Sequence, residues 1–228
     1  MKLSIIIPVY NEEQHIQKVI SQVRNAPIKI AKEIIIVDDG STDQTRRILR
    51  KYQQKPPVKI IFLDHNYGKG KAIRTGIAVA TGEIILIQDA DLEYFIEDYP
   101  KLLEPIIKGQ AQIVYGSRFK GQIQNMRWTN WLANKILALT ANLLYGVNIS
   151  DEATAYKAFK SKVLKSVSLK CQRFEFCPEV TAKLAKRGYK IYEVPIKYRA
   201  RDAKGGKKIK LKDAFEAFWT LLKYRLKN

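Results

Sequence analysis

The tightest constraint on the fold is a rhythm in the first half of the chain. Short, nearly unbroken aliphatic runs stand at Leu3–Val9, Glu33–Val37, Val58–Leu63, Glu83–Gln88 and Gln112–Tyr115. Polar, helix-periodic stretches separate them, at Glu12–Asn25, Asp43–Gln53, Lys69–Ala80 and Ile96–Lys108. A strand that is apolar at nearly every position needs cover on both faces. Strand and helix recurring roughly every 25 to 30 residues predict right-handed βαβ units, hence an α/β fold with a mostly parallel sheet flanked by helices. In open sheets of this kind, ligands bind at the carboxyl ends of the strands. Tyr10, Asp39 and Asp91 fall at those ends.

Beyond residue 120 the pattern changes. Trp128–Val147 reads as a broad amphipathic helix with Trp128, Leu132, Ile136, Leu139 and Leu143 on one side. Residues 173–187 and 211–226 predict two further helices, the latter carrying Leu211, Phe215, Phe218 and Leu222 as a stripe docked on the domain. Between them lie a strand, Lys190–Tyr198, and a basic loop, Arg199–Lys210, with Gly205-Gly206. No internal repeat or low-complexity linker divides the chain. Its 228 residues are therefore read as one domain, with residues 1–120 as a ligand-binding half and 121–228 as an acceptor or interfacial half.

Charge narrows the choice of partner. Lys and Arg number 41 against 22 Asp and Glu, a net charge of +19. Such a surplus points to nucleic acid, an acidic membrane or phosphorylated substrates. Cys171 and Cys177 are too few for a disulfide framework and match no common zinc spacing, so reduced packing residues are expected. The run before Pro8 lacks the layout of a secretion signal. Trp131–Ile149, broken by Asn134, Lys135, Thr140, Asn142 and Asn148, falls short of the ~20 apolar residues that a membrane span needs. The expectation is a cytoplasmic chain. If it meets a membrane, it lies on the surface or relies on a membrane-spanning partner protein.

Ile87-Gln88-Asp89-Ala90-Asp91 closes the fourth run. In extended backbone, residues two apart point the same way, so Asp89, Asp91 and Glu93 are expected to face one site. Converging carboxylates repel one another unless a cation sits among them, and Mg2+ or Mn2+ prefers such hard oxygens. A bare D-x-D in a solvated loop is the alternative. Val37-Asp38-Asp39-Gly40-Ser41-Thr42-Asp43 closes the second run. Asp39 there suits ribose hydroxyls or a base, while Ser41 or Thr42 equally suits a helix cap. Gly68-Lys69-Gly70-Lys71 leads into a helix, either as an anion nest or simply as a turn. His15 and His65 are the only histidines, and neither fits a charge relay.

Ile7-Pro8-Val9-Tyr10-Asn11-Glu12-Glu13, the Val37–Asp43 segment, Asn66-Tyr67-Gly68-Lys69-Gly70 and Asp89-Ala90-Asp91 together resemble family 2 glycosyltransferases of the GT-A fold. Gly116-Ser117-Arg118-Phe119, Asp151-Glu152-Ala153-Thr154-Ala155-Tyr156-Lys157 and the Phe174–Lys208 region are similar to the dolichol-phosphate mannose synthase group. The likeness covers nearly the whole chain, in the expected order. It implies that Pro8, Tyr10, Glu12 and Asp39 hold the nucleoside of a nucleotide-sugar, with Val37 and Asp38 in support. It implies that Asp89, Ala90 and Asp91 lie against the donor diphosphate and its divalent metal. Glu93 stands near where relatives often carry Gln and remains an oxygen ligand; Lys69 joins the donor set if its loop is a nest. Arg118 and Arg201 would contact diphosphate or acceptor phosphate, and Asp151 would orient a sugar hydroxyl or cap a helix. With Asp91, these three form the expected catalytic set. Ala155 and Lys157 depart from the group's D-x-x-T/S-G-Y/F-R pattern, and lysine lacks the arginine fork.

The activity so implied is metal-dependent, inverting transfer of a hexose from GDP-mannose or UDP-glucose to a polyprenyl or dolichyl phosphate at the cytosolic membrane face. A phosphate acceptor, with a second pKa of about 6, is already a dianionic nucleophile and needs no strong base. The basic surplus then suits an anionic membrane surface, at about 1 kcal/mol per residue. Trp128 and Trp131 are candidates to enter the interface, or else to join the core. Arg199, Arg201, Lys204, Lys207 and Lys208 suggest a lid over phosphates, or an ordinary solvated loop. One rival is a transferase for a soluble or polysaccharide acceptor. A nucleic-acid-binding module is disfavoured, because the strand-end acids would repel a phosphate backbone. A catalytically silent membrane scaffold is disfavoured by the intact Asp89 and Asp91.

Overall fold

The computed structural model describes residues 1–53, 55–201 and 211–227. Strands β1 (Lys2–Val9), β2 (Ala31–Asp38), β3 (Val58–Phe62), β4 (Ile84–Ile87), β5 (Ile113–Gln124), β6 (Lys157–Lys160) and β7 (Tyr192–Arg199) form one sheet, ordered β3-β2-β1-β4-β6-β5-β7. β1 to β4 pair in parallel, as the aliphatic runs require. β6 runs antiparallel between β4 and β5, and β5 pairs in parallel with β7. The chain adds β2 and β3 on one side of β1 and then crosses to β4 on the other. That reversal opens a crevice at the carboxyl ends of β1, β2 and β4.

Both faces of the sheet are covered. Ile5 and Ile7 of β1, with Ile34 and Ile36 of β2, pack beneath α1 (Ile16–Arg24) and α4 (Tyr99–Ile107). The alternating residues Ile6, Ile35 and Val37 pack beneath α3 (Lys69–Val79) and α7 (Phe176–Lys186). Each such side chain contributes about 1.5–3 kcal/mol by leaving water. α2 (Thr45–Arg50) is shorter than its sequence pattern, and α1 starts four residues later than expected, leaving Glu12 in the loop above β1.

Five elements go beyond the sequence pattern or depart from it. β5 continues to Gln124, past a register shift between Ser117 and Gln122, because β7 pairs along its whole length. β6 and the short α6 (Ser161–Lys165) come from a segment with no aliphatic run. α5 (Trp128–Tyr145) turns the Trp128–Leu143 stripe outward and docks through Leu137, Ala138 and Ala141 instead. Those residues meet Ala182 of α7 and Ala217 and Leu221 of α8 (Leu211–Leu226). On α8, Phe215 and Phe218, expected against the domain, are exposed beside Trp219. Small residues at the buried seam allow close helix approach and leave the bulky faces outside. No helix among the described residues is long and apolar enough to cross a membrane.

Candidate active site

The ends of β1, β2 and β4 meet at one cavity of about 890 Å³. Its wall includes Pro8, Tyr10, Glu12, Asp39, Lys69, Asp89, Ala90, Asp91, Glu93, Arg118 and Arg201. Eleven positions singled out from sequence thus lie together, although they are drawn from most of the chain. Val37, Asp38 and Asp151 do not line the cavity and lie behind its wall.

Asp38 and Asp39 point to different tasks. Asp38 is fully buried, and its Oδ2 accepts hydrogen bonds from Arg46 Nε at 2.7 Å and the Ser41 amide at 3.3 Å. It braces the turn from behind. Asp39 accepts the amides of Tyr67 (2.9 Å) and Gly68 (2.7 Å), fastening the β3–α3 loop to the end of β2. Burial raises the pKa of Asp39 above the ordinary carboxylate value, partly offset by those two amides, while Asp38 adds to the rise.

The Gly68–Lys71 loop is only partly available to an anion. The Gly68 amide is given to Asp39, and the Lys71 amide donates to Gln172 O at 2.9 Å. Gly68, with φ +105°, would place a Cβ 2.5 Å from Gln172 O, and a Cβ at Gly70 would lie 2.8 Å from Arg173 O. The glycines let the 171–173 segment lie directly on the loop. Lys69 Nζ reaches into the cavity and pairs with Asp89 Oδ1 at 2.6 Å. Burial alone would depress its pKa, but Asp89 and Asp91 outweigh that and raise it.

Asp91 stands one residue beyond Ala90, and its Oδ2 meets Arg201 Nη2 at 3.3 Å. Burial, then the charges of Asp89 and Glu93, push its carboxyl up to about 7, against the opposing pull of Arg201. Glu93 reaches the same cavity as the two aspartates and shares Arg201 with Asp91, but not along an extended strand. β4 ends at Ile87, and Leu92 adopts φ +62°, so the chain bends between Asp91 and Glu93. Glu93 Oε2 accepts the Tyr198 hydroxyl at 2.6 Å, and Oε1 accepts the Arg201 amide at 3.0 Å. Arg201 also spans to Glu12, at 3.4 Å. Among the described residues, no group of three Asp, Glu, His or Cys side chains converges as a complete metal set. The donor chemistry of Asp89 and Asp91 nevertheless fits a hard divalent cation, since two crowded carboxylates now rely on Lys69 and Arg201 for neutralisation. Of the basic loop, Lys204, Lys207 and Lys208 lie outside the described residues.

Arg118 and Asp151 are partners. Arg118 Nε and Nη2 each lie 2.7 Å from a different oxygen of Asp151, and the Arg118 amide adds a third bond at 2.9 Å. Asp151 is thus occupied in aiming the guanidinium that borders the cavity. Removing one member of a buried pair typically costs about 3–5 kcal/mol, because the other charge is stranded. Glu193 of β7 holds this corner by accepting the amides of Ser150 (2.8 Å) and Asp151 (3.1 Å) and pairing with Lys120 at 2.9 Å. Glu193 and Tyr198 escaped the sequence reading. Strand alternation signals only Tyr198, in phase with Val194 and Ile196; Glu193, five positions away, is out of phase with them. The cavity also runs between Thr129, Asn130 and Ala133 of α5 and Ala214, Ala217 and Phe218 of α8, so it continues from the acidic floor toward the exposed apolar helices.

Comparison with known proteins agrees with this arrangement. Residues 4–168 match the family model described as Glycosyl transferase family 2. A dolichol-phosphate mannosyltransferase of Pyrococcus furiosus is 33% identical over 221 residues, covering 95% of this chain and 61% of that protein. The chain therefore spans less than two thirds of that relative. A UDP-N-acetylglucosamine–dolichyl-phosphate N-acetylglucosaminyltransferase of Methanococcus voltae is 31% identical over 242 residues, covering 97% of this chain and 95% of its own. Among solved structures, glucosyl-3-phosphoglycerate synthase of Mycobacterium tuberculosis, in complex with Mn2+, UDP and phosphoglyceric acid, superposes with a TM-score of 0.75. The match covers 99% of this chain and 78% of that one at 21% identity, a likeness of fold. With its strand-end acids in one cavity and its sheet matched along most of its length, the chain belongs to glycosyl transferase family 2.

Proposed function

We propose that this chain transfers a hexose from a nucleotide-sugar to a polyprenyl phosphate, with a divalent metal and inversion at the anomeric carbon. The observation that carries the reading is the shape of one cavity. Its floor holds Asp89 and Asp91 within reach of Lys69 and Arg201, and it extends between two helices whose outer faces are apolar. Pro8, Tyr10, Glu12 and Asp39 border the end suited to a nucleoside. Asp89 and Asp91 would hold Mg2+ or Mn2+, which when bound neutralises the donor diphosphate and eases its departure. Solved neighbours in the same fold are complexes with UDP and Mn2+ or Mg2+, which supports that assignment.

The chain's own residues supply positioning and charge. Arg118, fixed by Asp151, presents a guanidinium to incoming or departing phosphate. Arg201 can exchange its carboxylate partners for phosphate oxygens once a cation takes over at Asp91. A phosphate dianion attacks without a strong general base, forming the bond from phosphate oxygen to anomeric carbon as the bond to the diphosphate oxygen breaks. The relatives named for dolichyl phosphate support a lipid acceptor. So do Trp128, Leu139 and Leu143 of α5 and Phe215 and Trp219 of α8, all exposed. Together with the +19 charge, they suit peripheral attachment to an anionic leaflet at the cytosolic face.

The test is transfer of labelled sugar from GDP-mannose, UDP-glucose or UDP-N-acetylglucosamine into organic-extractable lipid, with polyprenyl phosphate and Mg2+ or Mn2+. Native protein should label lipid from one donor. Asp91→Ala should lose about 100- to 1,000-fold, the cost of removing one electrostatic anchor of a transition state. Metal-dependent release of nucleotide without lipid labelling would assign a soluble acceptor instead, and silence with every donor would remove the transferase reading.

A further inference from the structure

Glu152 lies in the loop before β6, is fully buried, and contributes to the cavity wall. Its Oε1 accepts the Thr181 hydroxyl at 3.1 Å, while its Oε2 has no hydrogen-bond partner among the described residues. The nearby ammonium of Lys157 does not complete it. Lys157 Nζ donates to the main-chain oxygen of Glu152 at 2.6 Å and lies 3.4 Å from the centre of the Tyr115 ring. Buried polar atoms are nearly always satisfied, so an unsatisfied carboxylate oxygen on the cavity wall calls for a group that completes it.

Position selects that group. Cys177, at the start of α7, also lines the cavity, and its thiol is within electrostatic reach of Glu152 and Lys157 as well as of Lys69 and Asp89. Glu152 therefore borders the part of the cavity next to Asp89. A sugar joined to a diphosphate held at Asp89 and Asp91 would come within its reach. Burial raises the Glu152 carboxyl above its ordinary value, with Lys157 and the Thr181 bond pulling the other way. Such a group accepts or donates to a sugar hydroxyl equally well.

We infer that Glu152 binds a ring hydroxyl of the donor hexose and so sets which hexose the chain accepts. The inference rests on the transferase reading and deepens it. A site that must pair its buried polar groups discriminates strongly against a sugar whose hydroxyl is missing or inverted. Glu152 is thus a specificity residue, separate from the carboxylates that face the diphosphate.

The test is calorimetric titration of the full chain with Mn2+ present. Native protein, Glu152→Gln and Glu152→Asp are each titrated with GDP, UDP, GDP-mannose, UDP-glucose and UDP-N-acetylglucosamine. Glu152→Gln should bind the free nucleotides within about twofold of native. It should bind the preferred nucleotide-sugar about tenfold more weakly, as the loss of one such hydrogen bond implies, and should narrow the gap between donors. Glu152→Asp, which keeps the charge but withdraws the carboxylate, should shift the same balance by less, and keeps the test open should Glu152→Gln fold poorly. A folded Glu152→Gln with unchanged nucleotide-sugar affinities and unchanged preference overturns the assignment alone and leaves a trapped water as the partner. Native protein that binds neither nucleotides nor nucleotide-sugars overturns the transferase reading, and this assignment with it.

Discussion

β1 and α5 are both rich in large apolar residues, yet their surroundings are opposite. Every residue of β1 from Leu3 to Val9 is buried, with alternate side chains filling cores on the two faces of the sheet. α5 buries Leu137, Ala138 and Ala141 and leaves six large side chains exposed, from Trp128 at 73% to Leu143 at 77%. The contrast separates two uses of hydrophobicity. In the sheet it fixes the strand ends, and with them the carboxylates of the cavity floor. On α5, the outer face stays exposed among the described residues, and such a patch beside a cavity marks a surface made for contact.

The largest effect that could break this contrast is on stability. Ile6→Ala removes a side chain packed in the core between β1, β2 and α3 and should cost about 2–5 kcal/mol. Leu143→Ala, at an exposed site, should stay within about 0.5 kcal/mol. Urea unfolding of both variants decides the point, and a comparable loss in each would mean that α5 is covered in solution.

A smaller effect sharpens the picture of the cavity floor. The Asp91 carboxyl ordinarily titrates near 3.9 in an unfolded chain, and in the metal-free fold it is pushed up to about 7. Between those values the folded state holds a proton that the unfolded state has released. Its contribution is therefore present below about pH 4 and is lost as pH rises toward 7. In EDTA, urea midpoints should fall from pH 5 to pH 8 by on the order of 1–2 kcal/mol in stability. Asp91→Asn should flatten that slope, and saturating Mn2+ should reverse it. A native midpoint that rises with pH in EDTA would contradict the crowding of Asp89, Asp91 and Glu93.

How much of this was legible follows from the same physics. The parallel strands and their acidic ends were readable because strands covered on both faces leave unbroken aliphatic runs, and Asp39, Asp89 and Asp91 fall just after them. β6 was not, since four residues, Lys157-Ala158-Phe159-Lys160, carry too little pattern. The union of Arg118 with Asp151 spans 33 positions and depends on β5 and β6 lying side by side, which no local signal encodes. Extended backbone was assumed through Leu92, whose positive φ bends the chain, so Glu93 reaches the cavity by a turn that carries Tyr198 and Arg201 as its partners. On α5 and α8 the bulky stripes drew attention, whereas docking uses small residues, Ala138, Ala141 and Ala217, that hydrophobic periodicity underweights.

In the proposed reaction, the sheet performs the transfer while α5 and α8 deliver a lipid acceptor. The most direct test compares native protein with a Trp128→Ser, Leu143→Ser variant on vesicles of anionic lipid that contain polyprenyl phosphate. The variant should lose about tenfold in transfer to vesicle-borne acceptor. It should keep native nucleotide-sugar affinity and native rates with a short-chain acceptor in solution. Equal transfer by both proteins on vesicles, or an equal loss with the two acceptors, would contradict that division of roles.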